Sequence, residues 1–206
     1  MKEMTHPWEI EERCYAAGHV AVCGVDEAGA GPLAGPVYAA AVILPRGLLL
    51  PGLNDSKKLT EKQRERLFPL ICQQALAYAV ASASEQEIDE WNILRARMLA
   101  MDRAIRALSI PADFALIDGN RADGIACPHE TVVEGDARSA SIAAASVLAK
   151  VSRDRYVTEV LDPMYPEYAF AKHKGYGTRL HYAMLDRFGP CPAHRRSFLK
   201  KWEAGR

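Results

Sequence analysis

Long apolar runs are missing from this chain: no segment approaches the roughly 18 residues that a membrane-spanning helix needs, so no membrane association is expected. Cysteine is sparse and unpaired in pattern. The five residues, Cys14, Cys23, Cys72, Cys127 and Cys191, form no C-x-x-C pair. Their odd number argues against a disulfide framework and for a reducing, cytoplasmic setting. The six histidines show no H-x-x-x-H or Cys/His spacing, so a zinc site is not expected. Residues 1–8 carry an acid and a proline where a signal peptide would need an apolar core. Repeats, low-complexity tracts and interdomain linkers are absent too. Net charge is zero, which by itself gives no reason to expect a polyanionic partner.

What is present is a 206-residue chain with 49% hydrophobic and 25% charged residues, enough for one well-buried core. Its neutrality hides an asymmetry. Residues 1–137 hold 13 Lys/Arg against 20 Asp/Glu, whereas residues 138–206 hold 13 against 6. An acidic front that holds cations and a basic back that holds phosphates suit a metal-dependent nuclease, although helical surfaces also vary in charge by chance. Along the chain, apolar runs at 20–25, 35–44, 77–81, 114–117 and 130–133 read as strands, the first two as an antiparallel pair across a Gly/Pro-rich turn. Thr60-Glu61-Lys62-Gln63 is a capping box opening a helix to about Ala75. Further helices are expected from Ser84, over 92–108, from Ser139 to about Leu161, and over 178–188. The order predicts an α/β fold, a mixed sheet with helices and a helical C-terminal part.

The segment from Gly24 to Val37 carries the chemistry. Asp26 and Glu27 close an apolar run, and a turn of Gly, Ala and Pro follows. Acids are poor strand formers, so folding alone gives no reason for the pair. A second apolar run stops on Asp118, and Asp136 stands between a weak strand and a helix. Taken singly, each acid fits a turn or cap. If the strands are neighbours, the carboxylates converge and repel unless a cation sits between them, and Mg²⁺ or Mn²⁺ is the natural occupant. Adjacent strand residues face opposite sides, so Asp26 and Glu27 share one site only across a bend, unless Glu27 offers its carbonyl. Lys172 to Thr178, with Tyr176 between glycines, and Asp55 to Leu59 read either as nucleic-acid contacts or as solvated loops. His194 to Phe198 reads either as a basic patch or as a solvated terminus.

These segments together resemble the bacterial ribonuclease HII family. The match runs in order through Gly24 to Val37, Asn54 to Leu59, Ile117 to Asn120, Gly135-Asp136, Ser141 to Asp154, His173 to Thr178 and His194 to Phe198. The resemblance implies an RNase H-like fold as one domain over 1–206, with a core at about 20–160 and a helical extension at about 161–206. It implies an endoribonuclease that cuts the RNA strand of RNA–DNA hybrids and incises 5′ to single ribonucleotides in duplex DNA, leaving 3′-hydroxyl and 5′-phosphate ends. It assigns Asp26, Glu27, Asp118 and Asp136 as the catalytic, metal-holding acids of a two-metal site. Gly29, Ala30 and Gly31 would read the 2′-hydroxyl by backbone, Tyr176 would stack under the following deoxyribose, and Ser56 and Lys57 would hold phosphates. A nuclease acting on DNA alone and a hybrid-binding module are the competing readings. The last residues lack a sliding-clamp peptide pattern, and a monomer is expected.

Ala30 departs from the resemblance, because the family usually carries Arg or Lys between the two glycines. A backbone reader keeps its N–H and C=O with Ala30, but a cation near phosphate, worth about 1–3 kcal/mol, is gone. Ala30→Arg is therefore expected to raise kcat/KM or sharpen the preference for single ribonucleotides. Steady-state cleavage of matched substrates checks this, and an unchanged kcat/KM would remove the argument.

Overall fold

The computed structural model describes residues 7–205; residues 1–6, where the reading against a leader falls, and residue 206 lie outside the described residues. Five strands, β1 (Val22–Ala28), β2 (Val37–Ile43), β3 (Ala77–Ala83), β4 (Phe114–Asp118) and β5 (His129–Val132), form one sheet in the order β3-β2-β1-β4-β5. The first three pair antiparallel, and β4 and β5 run parallel to β1. The mixed α/β sheet expected from sequence is present. β1 differs in its bounds: it runs through both acids, since Asp26 and Glu27 pair with Ala40 and Ala39. Val20 and Ala21 fall outside it, their amides taken by the Asp113 carboxylate at 2.7 and 3.2 Å.

Strand parity sorts the side chains into two layers. Cys23 and Val25 of β1, Ala115 and Ile117 of β4, and the odd residues of β2 face helix α3 (Glu85–Arg106), meeting Ala96, Met101 and Ile105. Ala40 and Val42 face the opposite way, toward α2 (Glu61–Gln74) and α4 (Ala140–Tyr156). The capping boxes read at Thr60 and found again at Ser84 fix the starts of α2 and α3, each closed by a reciprocal bond with Gln63 or Glu87. α3 is broken at Asn92, whose φ is 69° and whose Oδ1 accepts from the amides of Leu94 and Arg95.

The small residues of α4 let it lie directly on β1. A Cβ at Gly24 would stand 2.1 Å from the Ser141 carbonyl carbon, so only glycine admits this approach. Helix α1 (Glu9–Ala16) anchors the same helix end: the buried Glu11 carboxylate accepts from Ser139 Oγ, Ser141 N and Ser141 Oγ at 2.6–3.0 Å. A carboxylate at a helix N-terminus is also favoured by the helix dipole. The long helix expected to run to about Leu161 widens into a π-turn over Val157–Leu161, ahead of Pro163, which has no N–H to give.

After it come α5 (Asp162–Met164), α6 (Phe170–His173), α7 (Arg179–Phe188) and α8 (Arg196–Ala204). The apolar faces of α6, α7 and α8 gather around Leu33 and Ala34, with Val157, Tyr168, Phe170, Leu185 and Leu199. Thr178 caps α7, and Gly189 ends it at φ 71°. A short antiparallel bridge, Ala34 to His194, ties the C-terminal segment to the turn after β1. No helix among the described residues is long and apolar enough to cross a membrane.

Candidate active site

Parity decides which acids meet. Asp26 follows Gly24 on the α4 side of β1, and Asp118 follows Leu116 on the same side of the parallel neighbour β4. Asp136 is delivered by a turn just before α4, entered through Glu134 in the left-handed conformation at φ 54°. The Asp118 Oδ1 atom accepts from the Gly135 amide at 2.8 Å and so holds that turn in place. One carboxylate oxygen from each of Asp26, Asp118 and Asp136 lies within 4.8 Å of the others. Glu27 lies on the opposite pleat, facing α3, where Arg97 Nε stands 2.8 Å from its Oε1. The structure therefore brings three of the four expected acids together and sets Glu27 across the strand from them.

Two of the three are buried, Asp26 and Asp136 at 4% exposed each, and Asp118 is half-buried. Burial first, then the charges of Glu27 and Asp118, push the Asp26 carboxyl well above its usual range. Burial and Asp118 raise Asp136 to about 6, against the pull of Lys57, whose Nζ is 3.4 Å from Asp136 Oδ2. Burial also raises Glu27, with Arg97 opposing. Three converging oxygen donors fit a hard divalent cation, and no nitrogen or sulfur ligand joins them among the described residues. On the other face of β1, Glu27 Oε2 is buried and without a hydrogen-bond partner among the described residues.

Next to the acids, the Gly29-Ala30-Gly31 turn runs from buried to exposed. Gly29 has φ 96°, and a Cβ there would meet Arg153 Nε at 2.8 Å. The Tyr176 ring is 42% exposed and lies against Gly31, with Arg153 Cζ 5.6 Å and Lys150 Nζ 5.9 Å from its centroid. Lys57 reaches the acids from a 3₁₀ turn capped by Asp55, whose Oδ1 accepts from the Lys57 amide at 2.8 Å. Ser56 begins that turn and is buried.

Three features escaped the sequence reading. Arg195, read there as a basic patch or solvated terminus, is fully buried, and only Arg196 beside it is exposed. Arg153 is also fully buried, with Nε and Nη1 lacking hydrogen-bond partners among the described residues. Third, buried histidines pin the tyrosine loop from below. His194 Nδ1 accepts from the Cys191 amide at 3.0 Å, leaving its Nε2–H to meet His181 Nε2 at 2.9 Å. His181 Nδ1 then donates to the Tyr176 carbonyl at 3.0 Å. That chain of donors requires both rings neutral, and burial pulls both down to about 4. No local signal marks the two arginines, because their partners Ala34 and Gly29 lie in segments distant in sequence.

A family model described as Ribonuclease HII matches residues 23–201 of the chain. A ribonuclease HII of Syntrophotalea carbinolica is 54% identical over 196 residues, covering 95% of this chain and 93% of the relative. Among solved structures, the ribonuclease H2 of Pyrococcus horikoshii OT3 superposes with a TM-score of 0.70 at 27% identity, over 86% of this chain and 93% of that one. The fold is also that of Bst-RNase HIII in complex with Mn²⁺, with a TM-score of 0.61 at 19% identity over 85% of this chain and 65% of that one.

The clustered acids set a pH dependence on the metal-free protein. A carboxyl whose folded-state pKa lies near 6, above the ordinary 3.8, favours folding less as pH rises from about 4 through about 6. Asp136→Asn is thus expected to stabilise the metal-free protein by about 1–2 kcal/mol at pH 7 and to have little effect below about pH 4. Denaturant titrations in EDTA at the two pH values check this; a variant less stable than wild type at pH 7 would contradict it.

Proposed function

The chain belongs to the ribonuclease HII family, and from that premise we propose that it nicks duplex DNA on the 5′ side of a single embedded ribonucleotide by two-metal-ion hydrolysis. Metal-dependent ribonuclease H activity on RNA–DNA hybrids goes with that membership. The observation that supports the finer reading is the convergence of Asp26, Asp118 and Asp136 beside the Gly29–Gly31 turn.

Each residue has a part in this reading. Asp26, Asp118 and Asp136 hold Mg²⁺ or Mn²⁺, and Glu27 completes the catalytic acids from the other face of β1. When bound, the ions activate water and neutralise charge on the phosphoryl group and on the leaving 3′-oxygen. Asp118 also keeps Asp136 in position through the Gly135 amide. Lys57, whose side chain is 78% exposed, can turn from Asp136 to a phosphate, with Ser56 at the same turn. The backbone of Gly29, Ala30 and Gly31 approaches the 2′-hydroxyl, the group that DNA lacks. The open face of Tyr176 takes the following deoxyribose by stacking. The chain acts as a monomer.

A labelled duplex with one ribonucleotide, incubated with Mg²⁺ or Mn²⁺, tests this. A single nick 5′ to the ribonucleotide with 3′-hydroxyl and 5′-phosphate ends is expected, falling on the order of 10³-fold in Asp26→Asn. Incision of an all-DNA duplex at a similar rate would overturn it, as would an undiminished rate in the variant.

A further inference from the structure

The loop proposed to read the ribose is held by a residue with no part in that proposal. Arg195 Nη2 donates to the Gly29 carbonyl at 2.7 Å, Nη1 to the Ala30 carbonyl at 3.0 Å, and Nε to the Gly35 carbonyl at 2.8 Å. The guanidinium is fully buried, and no carboxylate oxygen among the described residues lies within 4.0 Å of it. Burying an unpaired cation is costly, and an apolar side chain would fasten the C-terminal segment without that cost. The segment is already fastened by backbone: the Arg195 amide donates to the Leu33 carbonyl at 2.9 Å, and the Gly35 amide to the Ala193 carbonyl at 2.9 Å. What the guanidinium adds is control of three carbonyls.

That control has a directional consequence. The described peptide bonds are all trans, so each N–H points away from the carbonyl of the residue before it. With the Gly29 and Ala30 carbonyls turned inward onto Arg195, the amides of Ala30 and Gly31 are turned outward. Neither donates to another described residue. A carbonyl that accepts from a cation also polarises its own peptide unit, which strengthens the outward N–H as a donor. Arg153 adds a second buried positive charge against Gly29.

We infer that Arg195 is a positioning residue that makes the Gly29–Gly31 turn a pair of outward amide donors, set to receive the lone pairs of the ribose 2′-oxygen. The inference rests on the proposed reading of ribonucleotide recognition and names the residue that confers it. The donors belong to the backbone, and the charge behind them comes from position 195 rather than from the side chain at position 30.

The test compares binding in EDTA, where the duplex stays intact, for a duplex with one ribonucleotide and its all-DNA counterpart. Both carry the same phosphates, so the ratio of the two Kd values isolates the ribose. Arg195→Lys keeps a charge but loses the fork, and the ratio is expected to fall about tenfold or more while all-DNA binding holds. In the wild-type protein, the Ala30 and Gly31 amide resonances should shift further with the ribonucleotide duplex than with the all-DNA one at saturation. This second arm keeps the inference open to refutation even if the variant fails to fold. An unchanged ratio in the variant, an equal loss of both affinities, or amides indifferent to the ribose would overturn the inference. A wild-type protein that binds both duplexes equally would instead sink the functional reading beneath it.

Discussion

Three carboxylates forced together largely out of water are the constraint around which this molecule is arranged. Asp26, Asp118 and Asp136 approach within 4.8 Å in a site where Asp26 and Asp136 are buried, Asp118 is half-buried and like charges are poorly screened. Nothing in packing favours this. The fold sustains it by fixing each acid through a different element: the pleat of β1, the end of β4, and a turn locked by Asp118 before α4. Close docking of α4 at Gly24, and the Glu11 carboxylate at that helix end, keep the third acid from drifting outward. The raised pKa values are the same strain seen from the proton side, and a divalent ion relieves it.

The C-terminal segment completes the arrangement from below. Its residues reach across the chain to the turn after β1: His194 bridges Ala34, Arg195 grips Gly29, Ala30 and Gly35, and the Leu33 amide donates to the Gly175 carbonyl at 2.8 Å. The neutral His181–His194 pair holds the Tyr176 carbonyl, so the aromatic face and the glycine turn sit on one rigid base. Acids that would hold metal and a backbone that would sense ribose are thus set by separate supports. Changes in one can leave the other intact.

Features that depend on neighbours in sequence were legible. The capping box at Thr60, the apolar strand read at 35–44 and found at 37–43, and the acids closing two apolar runs all declare themselves locally. The objection that Asp26 and Glu27 cannot share one face follows from strand geometry alone, and Glu27 does turn toward Arg97. Features that depend on register or distant pairing were not legible. The sequence cannot say that β1 continues past its acids, because that follows from pairing with Ala39 and Ala40. Nor can it separate Arg195 from Arg196, one wholly buried and one exposed, since the distinction comes from a bridge to Ala34 some 160 positions away.

The most direct test of the central claim is proton release on metal binding. Calorimetric titration of Mn²⁺ into the metal-free protein near pH 6.5, in buffers of different ionisation enthalpy, counts the protons that leave. Acids sharing a buried site should give up about one proton per binding event, and Asp118→Asn should weaken binding strongly. Binding without proton release, or binding unaltered in that variant, would contradict the account.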